Sequence, residues 1–215
     1  MTPTRPDGDP WALLRKLRPD APFPRLDELA REIERWNRRI RLVGPRDLAG
    51  IRLQITDALL PFLKIPPLFP LLDLGTGAGL PLLPLAVVFP GADVTGVEPR
   101  HRRVAFVRHA ARVLGLSRVR VVTGRAPRVL EDHPDLRGAF RSATARALAD
   151  VPTLLGWLGP FLVPGGLAIL PRGSEPPPRV DGWELVRDEA YTGPPGMGPR
   201  RVVAYARTAP GDCFT

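Results

Sequence analysis

The chain has 215 residues, 44% of them hydrophobic, enough for one core or for one core with a small appendage. No apolar run reaches the roughly 18 residues of a membrane helix, and the opening Met-Thr-Pro-Thr-Arg-Pro-Asp lacks the apolar stretch of a secretion signal, so no membrane association is expected and the cytoplasm is the expected compartment. The single Cys213 excludes a disulfide framework, and His101, His109 and His133 lack ligand spacing, so no metal is expected, while the net charge of +9 favours a polyanion such as nucleic acid as partner.

Residues 1–10 are polar and proline-rich and are expected to be mobile. A short helix over Trp11, Leu13, Leu14 and Leu17 leads into a longer one from about Pro24. There Leu26, Leu29, Ala30, Ile33, Trp36, Ile40 and Leu42 recur at three- and four-residue steps, while Arg25, Glu28, Arg31, Glu32, Glu34, Arg35, Arg38 and Arg39 form the polar, solvated face. Residues 45–64 allow a third helix, which Ile-Pro-Pro-Leu-Phe-Pro at 65–70 ends. From there strand and helix alternate: strand 70–75, helix 79–89, strand 93–98, helix 100–115, strand 119–124, a short helix 126–132, strand 139–146 and helix 150–160. Pro164-Gly165-Gly166 reads as a turn before a strand at 167–170, and strands near 183–187 and 201–205 close the chain. This predicts an α/β fold with a seven-stranded, mostly parallel sheet, helices on both faces and a terminal antiparallel hairpin. The expected division is a helical segment 1–65, a Rossmann-like domain 66–207 and a flexible tail 208–215.

The stretch Leu71-Leu-Asp-Leu-Gly-Thr-Gly-Ala-Gly-Leu-Pro81 carries the most information. An apolar strand collapses into Gly75, Gly77 and Gly79, which leaves a backbone bare enough for a nucleotide-like ligand to approach. The pattern Asp-x-Gly-x-Gly-x-Gly has neither the dinucleotide spacing nor the lysine of a phosphate-binding loop, which favours S-adenosylmethionine over a pyrophosphate ligand. Asp73 at the strand end can orient the loop and face the methionine ammonium. Glu98 ends the second strand, where a carboxylate in doubly wound sheets accepts hydrogen bonds from ribose hydroxyls.

Several segments together carry a family resemblance running from Arg35 to Arg207. They are Arg35-Trp36-Asn37-Arg38; the glycine loop extended by Leu80-Pro81; Glu98 with Arg102-Arg103; Leu114-Gly-Leu116; Gly124-Arg125-Ala126; Ala145-Arg146-Ala147; Arg172-Gly173; and Arg200-Arg201. In these the chain resembles the bacterial 16S rRNA guanine-N7 methyltransferases, the RsmG or glucose-inhibited division protein B family. The resemblance implies a class I S-adenosylmethionine-dependent methyltransferase acting as a monomer on 16S rRNA or the small ribosomal subunit, at a guanine N7 in the 530 loop. It implies that Gly75, Leu80, Ala126, Pro127 and Arg146 join Asp73, Gly77, Gly79 and Glu98 in holding the cofactor. It implies that Arg125, Arg146 and Arg200 serve the reaction, and that Arg102, Arg103, Arg172, Arg200 and Arg201 meet RNA. The chain departs from the family at Gln54-Ile-Thr-Asp57-Ala58, where only the acid of a His-x-x-Asp-Ser pattern remains. It departs again at Pro127, where the family commonly has Glu, and at Arg172, where it commonly has Lys.

Guanine N7 already has a free lone pair, so transfer needs alignment rather than a base. This agrees with the lack of any general base, nucleophilic cysteine or metal set in the sequence. Two other readings stay open here. One is a diverged paralogue that methylates another RNA or a small molecule, and the other is a non-catalytic RNA-binding or ribosome-assembly protein that retains the fold.

Overall fold

The computed structural model describes residues 9–208. Cys213, most of the expected tail and residues 1–8 of the expected mobile N-terminus lie outside the described residues. Helices α1 (Ala12–Leu17), α2 (Phe23–Asn37) and α3 (Leu48–Lys64) precede β1 (Leu71–Leu74), α4 (Leu82–Val88), β2 (Val94–Glu98), α5 (His101–Val113), β3 (Val119–Thr123), α6 (Val129–Asp132), β4 (Phe140–Ala145), α7 (Val151–Leu158), β5 (Leu162–Arg172), β6 (Trp183–Thr192) and β7 (Pro199–Arg207). The sheet order is β3-β2-β1-β4-β5-β7-β6, with β7 antiparallel to both neighbours and the other adjacent pairs parallel. The chain winds outward from β1 to β3 and then returns to place β4 on the other side of β1. The crevice at the carboxyl ends of β1 and β4 is therefore the switch point where ligands bind in such sheets.

The two-residue period of the strands divides the core. Leu71, Val121, Val202 and Ala204 face the layer made by the N-terminal helices with α4 and α5, whereas Leu72, Val122, Val203 and Tyr205 face the layer of α6 and α7. The apolar stripe of α2, Leu26, Leu29, Ala30 and Ile33, and that of α3, Ile51, Ile55, Leu59 and Phe62, are fully buried in the first layer. One continuous apolar core thus runs from Trp11 to Ala204. Asp47 caps α3 by accepting from the Gly50 amide at 2.8 Å, and Asp150 caps α7 by accepting from the Thr153 amide at 2.9 Å.

Three details differ from the sequence expectation. Glu32, expected on the solvated face of α2, is buried, accepting from Arg35 at 2.7 Å and lying 3.1 Å from Nε2 of His109 on α5. The turn at Pro164-Gly165-Gly166 lies inside a strand: Leu162 pairs with Phe140 and Leu167 with Ser142, so the intervening residues bulge out of β5, with Gly165 at a φ of 72°.

Helix α2 stops at Asn37 instead of running on to Leu42. The Asn37 side-chain oxygen accepts from the amides of Leu42 and Val43 at 2.8 and 3.2 Å, and its nitrogen donates to the carbonyls of Pro45 and Val43 at 2.7 and 3.3 Å. The loop folds around this one amide. Asn37→Ala is expected to cost about 3 kcal/mol, four hydrogen bonds at about 1 kcal/mol each less what water restores. In thermal unfolding this is a fall in Tm of about 6–12 °C.

Candidate active site

After Asp73 the chain turns through Gly75, Gly77 and Gly79 at φ of 71°, 58° and 73°, a left-handed run that side chains resist. The amides of Gly75 and Thr76 donate to the Val97 carbonyl at 2.7 and 3.1 Å, which hangs the loop on the end of β2. Glu98, buried at 3% exposure, completes the suspension: Oε2 accepts from the Gly77 amide at 3.0 Å and Oε1 from the Arg100 amide at 3.1 Å. Each carboxylate oxygen has a second acceptor site, so Glu98 can hold the loop and still accept from a vicinal diol. The loop is tight on both sides. A Cβ on Gly79 would lie 2.6 Å from Leu83, and one on Gly75 would lie 2.6 Å from Leu148, whose half-exposed side chain covers the loop.

Asp73 is 1% exposed, and its Oδ2 has no hydrogen-bond partner among the described residues. Its cross-strand neighbour Thr144 has a hydroxyl in the same condition. Burial pushes the Asp73 carboxyl up to about 6, against the opposing pull of Thr76 and of the Arg146 charge. A buried acceptor without a donor is costly. A ligand ammonium beside the bare glycine backbone would supply that donor, so the residues present fit S-adenosylmethionine.

Beyond Arg146, at the end of β4, opens a cavity of about 460 Å³ lined by Asp57, Arg146, Arg172, Tyr191 and Arg200 among others. Asp57 projects from the middle of α3 and is 6% exposed. Its Oδ2 accepts from Nη2 of Arg146 at 2.9 Å, and its Oδ1 lies 3.8 Å from Nε of Arg200. Tyr191 is the cross-strand partner of Arg200. Burial first, then the Asp57 charge, pushes the Tyr191 hydroxyl up to about 12, with Arg146 and Arg200 opposing, so it stays a donor at neutral pH. Nε and Nη1 of Arg172 and Nε of Arg200 are buried without partners among the described residues. Guanidinium donors left unpaired around a cavity suit an oxyanion.

The expected site residues thus divide between two places. Arg146, Arg172 and Arg200 share the cavity, while Asp73, the three glycines and Glu98 form the loop site next to it. The Gly124 amide donates to the Glu98 carbonyl at 3.2 Å, bringing the segment that holds Ala126 and Pro127 beside Glu98, with Ala126 half-buried and Pro127 exposed. Leu80 precedes α4 and packs on the core. Arg103 extends over Gly77, and Arg102 is exposed on α5. Arg201 pairs with Asp188 at 2.5 Å. Arg125 is exposed after β3, three strands from β4 and hence roughly 14 Å away in the sheet, and it is not part of the cavity lining. Asp57 and Tyr191 were not singled out as site residues from sequence. For Asp57 a signal existed, as the acid retained at 54–58; for Tyr191, in a strand without clear alternation, none did. Among the described residues no cluster of three or more His, Cys, Asp or Glu could hold a metal, and no helix is long and apolar enough to cross a membrane.

The chain is 32% identical over 190 residues to ribosomal RNA small subunit methyltransferase G of Geobacter sulfurreducens, covering 86% of this chain and 82% of that protein. It is 35% identical over 179 residues to the protein of the same name from Stenotrophomonas maltophilia, covering 80% of each. Among solved structures, an O-methyltransferase from Bacillus cereus in complex with SAH has the same fold, with a TM-score of 0.59 at 16% identity over 92% of this chain and 98% of that one. A putative O-methyltransferase from Klebsiella pneumoniae gives a TM-score of 0.57 at 16% identity over 93% and 98%. Fold and cofactor class are those of a class I S-adenosylmethionine-dependent methyltransferase. The family model of rRNA small subunit methyltransferase G matches residues 23–181, and with these relatives it establishes that the chain belongs to that family.

Proposed function

We propose that the protein transfers a methyl group from S-adenosylmethionine to N7 of a guanine in the 530 loop of 16S rRNA. The observation that carries this reading is the arginine-lined cavity of Arg146, Arg172 and Arg200 opening beside a glycine loop hung on Glu98. The net charge of +9 supports a polyanionic substrate, and the family's name supports small-subunit rRNA. On this reading the enzyme works in the cytoplasm, as a monomer, on the small subunit or its RNA.

The bound cofactor supplies an electrophilic methyl group on a sulfonium. The protein's part is binding and alignment. Glu98 receives the ribose hydroxyls, and Asp73 receives the ammonium. Gly75, Gly77 and Gly79 let the backbone approach, and the segment of Ala126 and Pro127 borders the adenine. Arg146 sits between the two sites, felt electrostatically by Asp73 and bonded to Asp57, and it aligns donor with acceptor. Arg172 and Arg200 bind the RNA backbone around the target, with Arg102, Arg103, Arg125 and Arg201 adding outer contacts.

The test is transfer of labelled methyl to small subunits, or to 16S rRNA, from a strain lacking the endogenous activity, with the modified nucleotide mapped. Label at N7 of a 530-loop guanine is expected. Cofactor binding without RNA labelling would overturn the substrate assignment and point to another RNA or a small molecule.

A pH dependence follows from Asp73. The ammonium requires the ionised carboxylate, so the Kd for cofactor is expected to rise as pH falls below about 6, by at most about tenfold per unit. The ligand-free fold should respond oppositely. A carboxyl whose pKa is raised by folding contributes most stability below its unfolded value and loses that contribution as pH rises through about 6. Calorimetric titration of the cofactor between pH 7.5 and 5 reads the first effect, and a Kd flat across that range would remove Asp73 from the ammonium.

A further inference from the structure

Guanine N7 poses a recognition problem that this cavity is equipped to solve. The common protein contact to guanine, an arginine donating to both O6 and N7, would occupy the lone pair that must attack. An enzyme that methylates N7 has to identify the base from its opposite edge, where N1–H and the 2-amino group present two adjacent donors. The side chain complementary to two parallel donors is a carboxylate.

Among the described residues three carboxylates line the cavity: Asp57, Asp150 and Glu175. Asp150 is exposed and caps α7 through the Thr153 amide, and Glu175 is exposed. Asp57 alone is buried. Its Oδ2 accepts one hydrogen bond, from Arg146, and the 3.8 Å from Oδ1 to Nε of Arg200 is too long for another, so acceptor capacity remains on both oxygens. The volume of about 460 Å³ lies within the range of small-ligand sites, and Tyr191 is part of the wall. An enzyme that works on one base of a structured RNA meets that base unstacked and drawn into such a pocket.

Resting on the reading of the chain as a guanine-N7 methyltransferase, we propose that Asp57 identifies the target base. N1–H and the 2-amino group of an extruded guanine donate to its two carboxylate oxygens, which leaves N7 on the far edge of the purine free to react. As the reaction proceeds, the N7 lone pair forms the new C–N bond and the methyl–sulfur bonding pair returns to sulfur. No proton leaves, and the positive charge passes from sulfur to the purine. That charge makes N1–H a stronger donor, so the bond to Asp57 tightens in the transition state and acts on kcat as well as on binding. Arg146, bonded to the same carboxylate, holds Asp57 in orientation.

Inosine keeps N1–H, O6 and N7 and lacks only the 2-amino group, which makes it the discriminating substrate. The experiment uses small subunits reconstituted from ligated 16S rRNA carrying guanosine or inosine at the mapped target, with the full-length wild type and the Asp57→Asn variant. Wild type is expected to prefer guanosine by about 10- to 100-fold in kcat/KM, the range for one hydrogen bond to a charged group. Asp57→Asn should lower the guanosine rate and compress that preference to within a few-fold, while the Kd for S-adenosylmethionine stays unchanged. Equal rates on the two RNAs with wild type would overturn the proposal. So would a variant that slows both RNAs by the same factor, since Asp57 would then serve only to hold Arg146. If Asp57→Asn does not fold, Asp57→Glu keeps the charge against Arg146 while displacing the carboxylate, and the same compression is expected. Absence of transfer to either RNA, with cofactor still bound, would instead overturn the proposed function and the inference with it.

Discussion

Replacing Glu98 with alanine is expected to raise the Kd for S-adenosylmethionine by about 100-fold or more. The proposed ribose contacts are two hydrogen bonds to a carboxylate, each about 1.5–3 kcal/mol, and about 1.4 kcal/mol corresponds to tenfold. The same substitution removes the acceptor for the Gly77 amide, so the loop loses its anchor as the ligand loses its partner. Glu98→Gln separates the two effects. One amide oxygen can still accept from Gly77, while the other position becomes a donor facing hydroxyls that also donate, and a rise in Kd of about tenfold is expected. Titration calorimetry with S-adenosylmethionine measures both variants, and a melting curve checks that the sheet survives. An unchanged Kd in a folded Glu98→Ala protein would remove Glu98 from the cofactor site.

Much of this site was legible because its signals are local. Gly75, Gly77 and Gly79 follow an apolar strand directly, and Glu98 ends the next one, so their relation is fixed by two adjacent parallel strands. The alternation of strands and helices was readable for the same reason: Leu71–Leu74 is a short continuous buried run, and the stripe of α2 follows the helical period. What escaped depends on long-range contact. Asp57 sits in an apolar helix 89 residues from Arg146, and only the fold joins them. Glu32 has the spacing of a solvated residue, but α5 lies against it. The end of α2 is set by Asn37 bonding forward to a loop, which competes with the helical periodicity of Ile40 and Leu42. Strand β6, exposed along most of its length at the sheet edge, shows little apolar alternation, and its extent to Thr192 was missed for that reason.

The two halves of the site should separate cleanly on substitution of Arg200. Arg146 is unsuited to this test because it bonds the buried Asp57, and its removal would leave a carboxylate with Arg200 alone at 3.8 Å. Arg200 is about a third exposed and among the described residues its one ion pair is that long contact with Asp57, so Arg200→Ala should change stability by less than about 1 kcal/mol. The Kd for S-adenosylmethionine should stay unchanged, because Glu98, Asp73 and the glycine loop are untouched. Methyl transfer to the small subunit is expected to fall about 10- to 100-fold in kcat/KM, the loss of one guanidinium contact of about 1.5–3 kcal/mol. Salt dependence then tells which contact was lost. If Arg200 neutralises a phosphate, the slope of log kcat/KM against log salt concentration should become shallower by about 1, whereas a contact to the base leaves it unaltered. The unpartnered Nε, held within the cavity, favours the phosphate, since a guanidinium that retains unsatisfied donors after folding is left with charge to give to an oxyanion. A variant that loses cofactor binding while still methylating RNA at high cofactor concentration would reverse the assignment and move Arg200 to the donor half of the site.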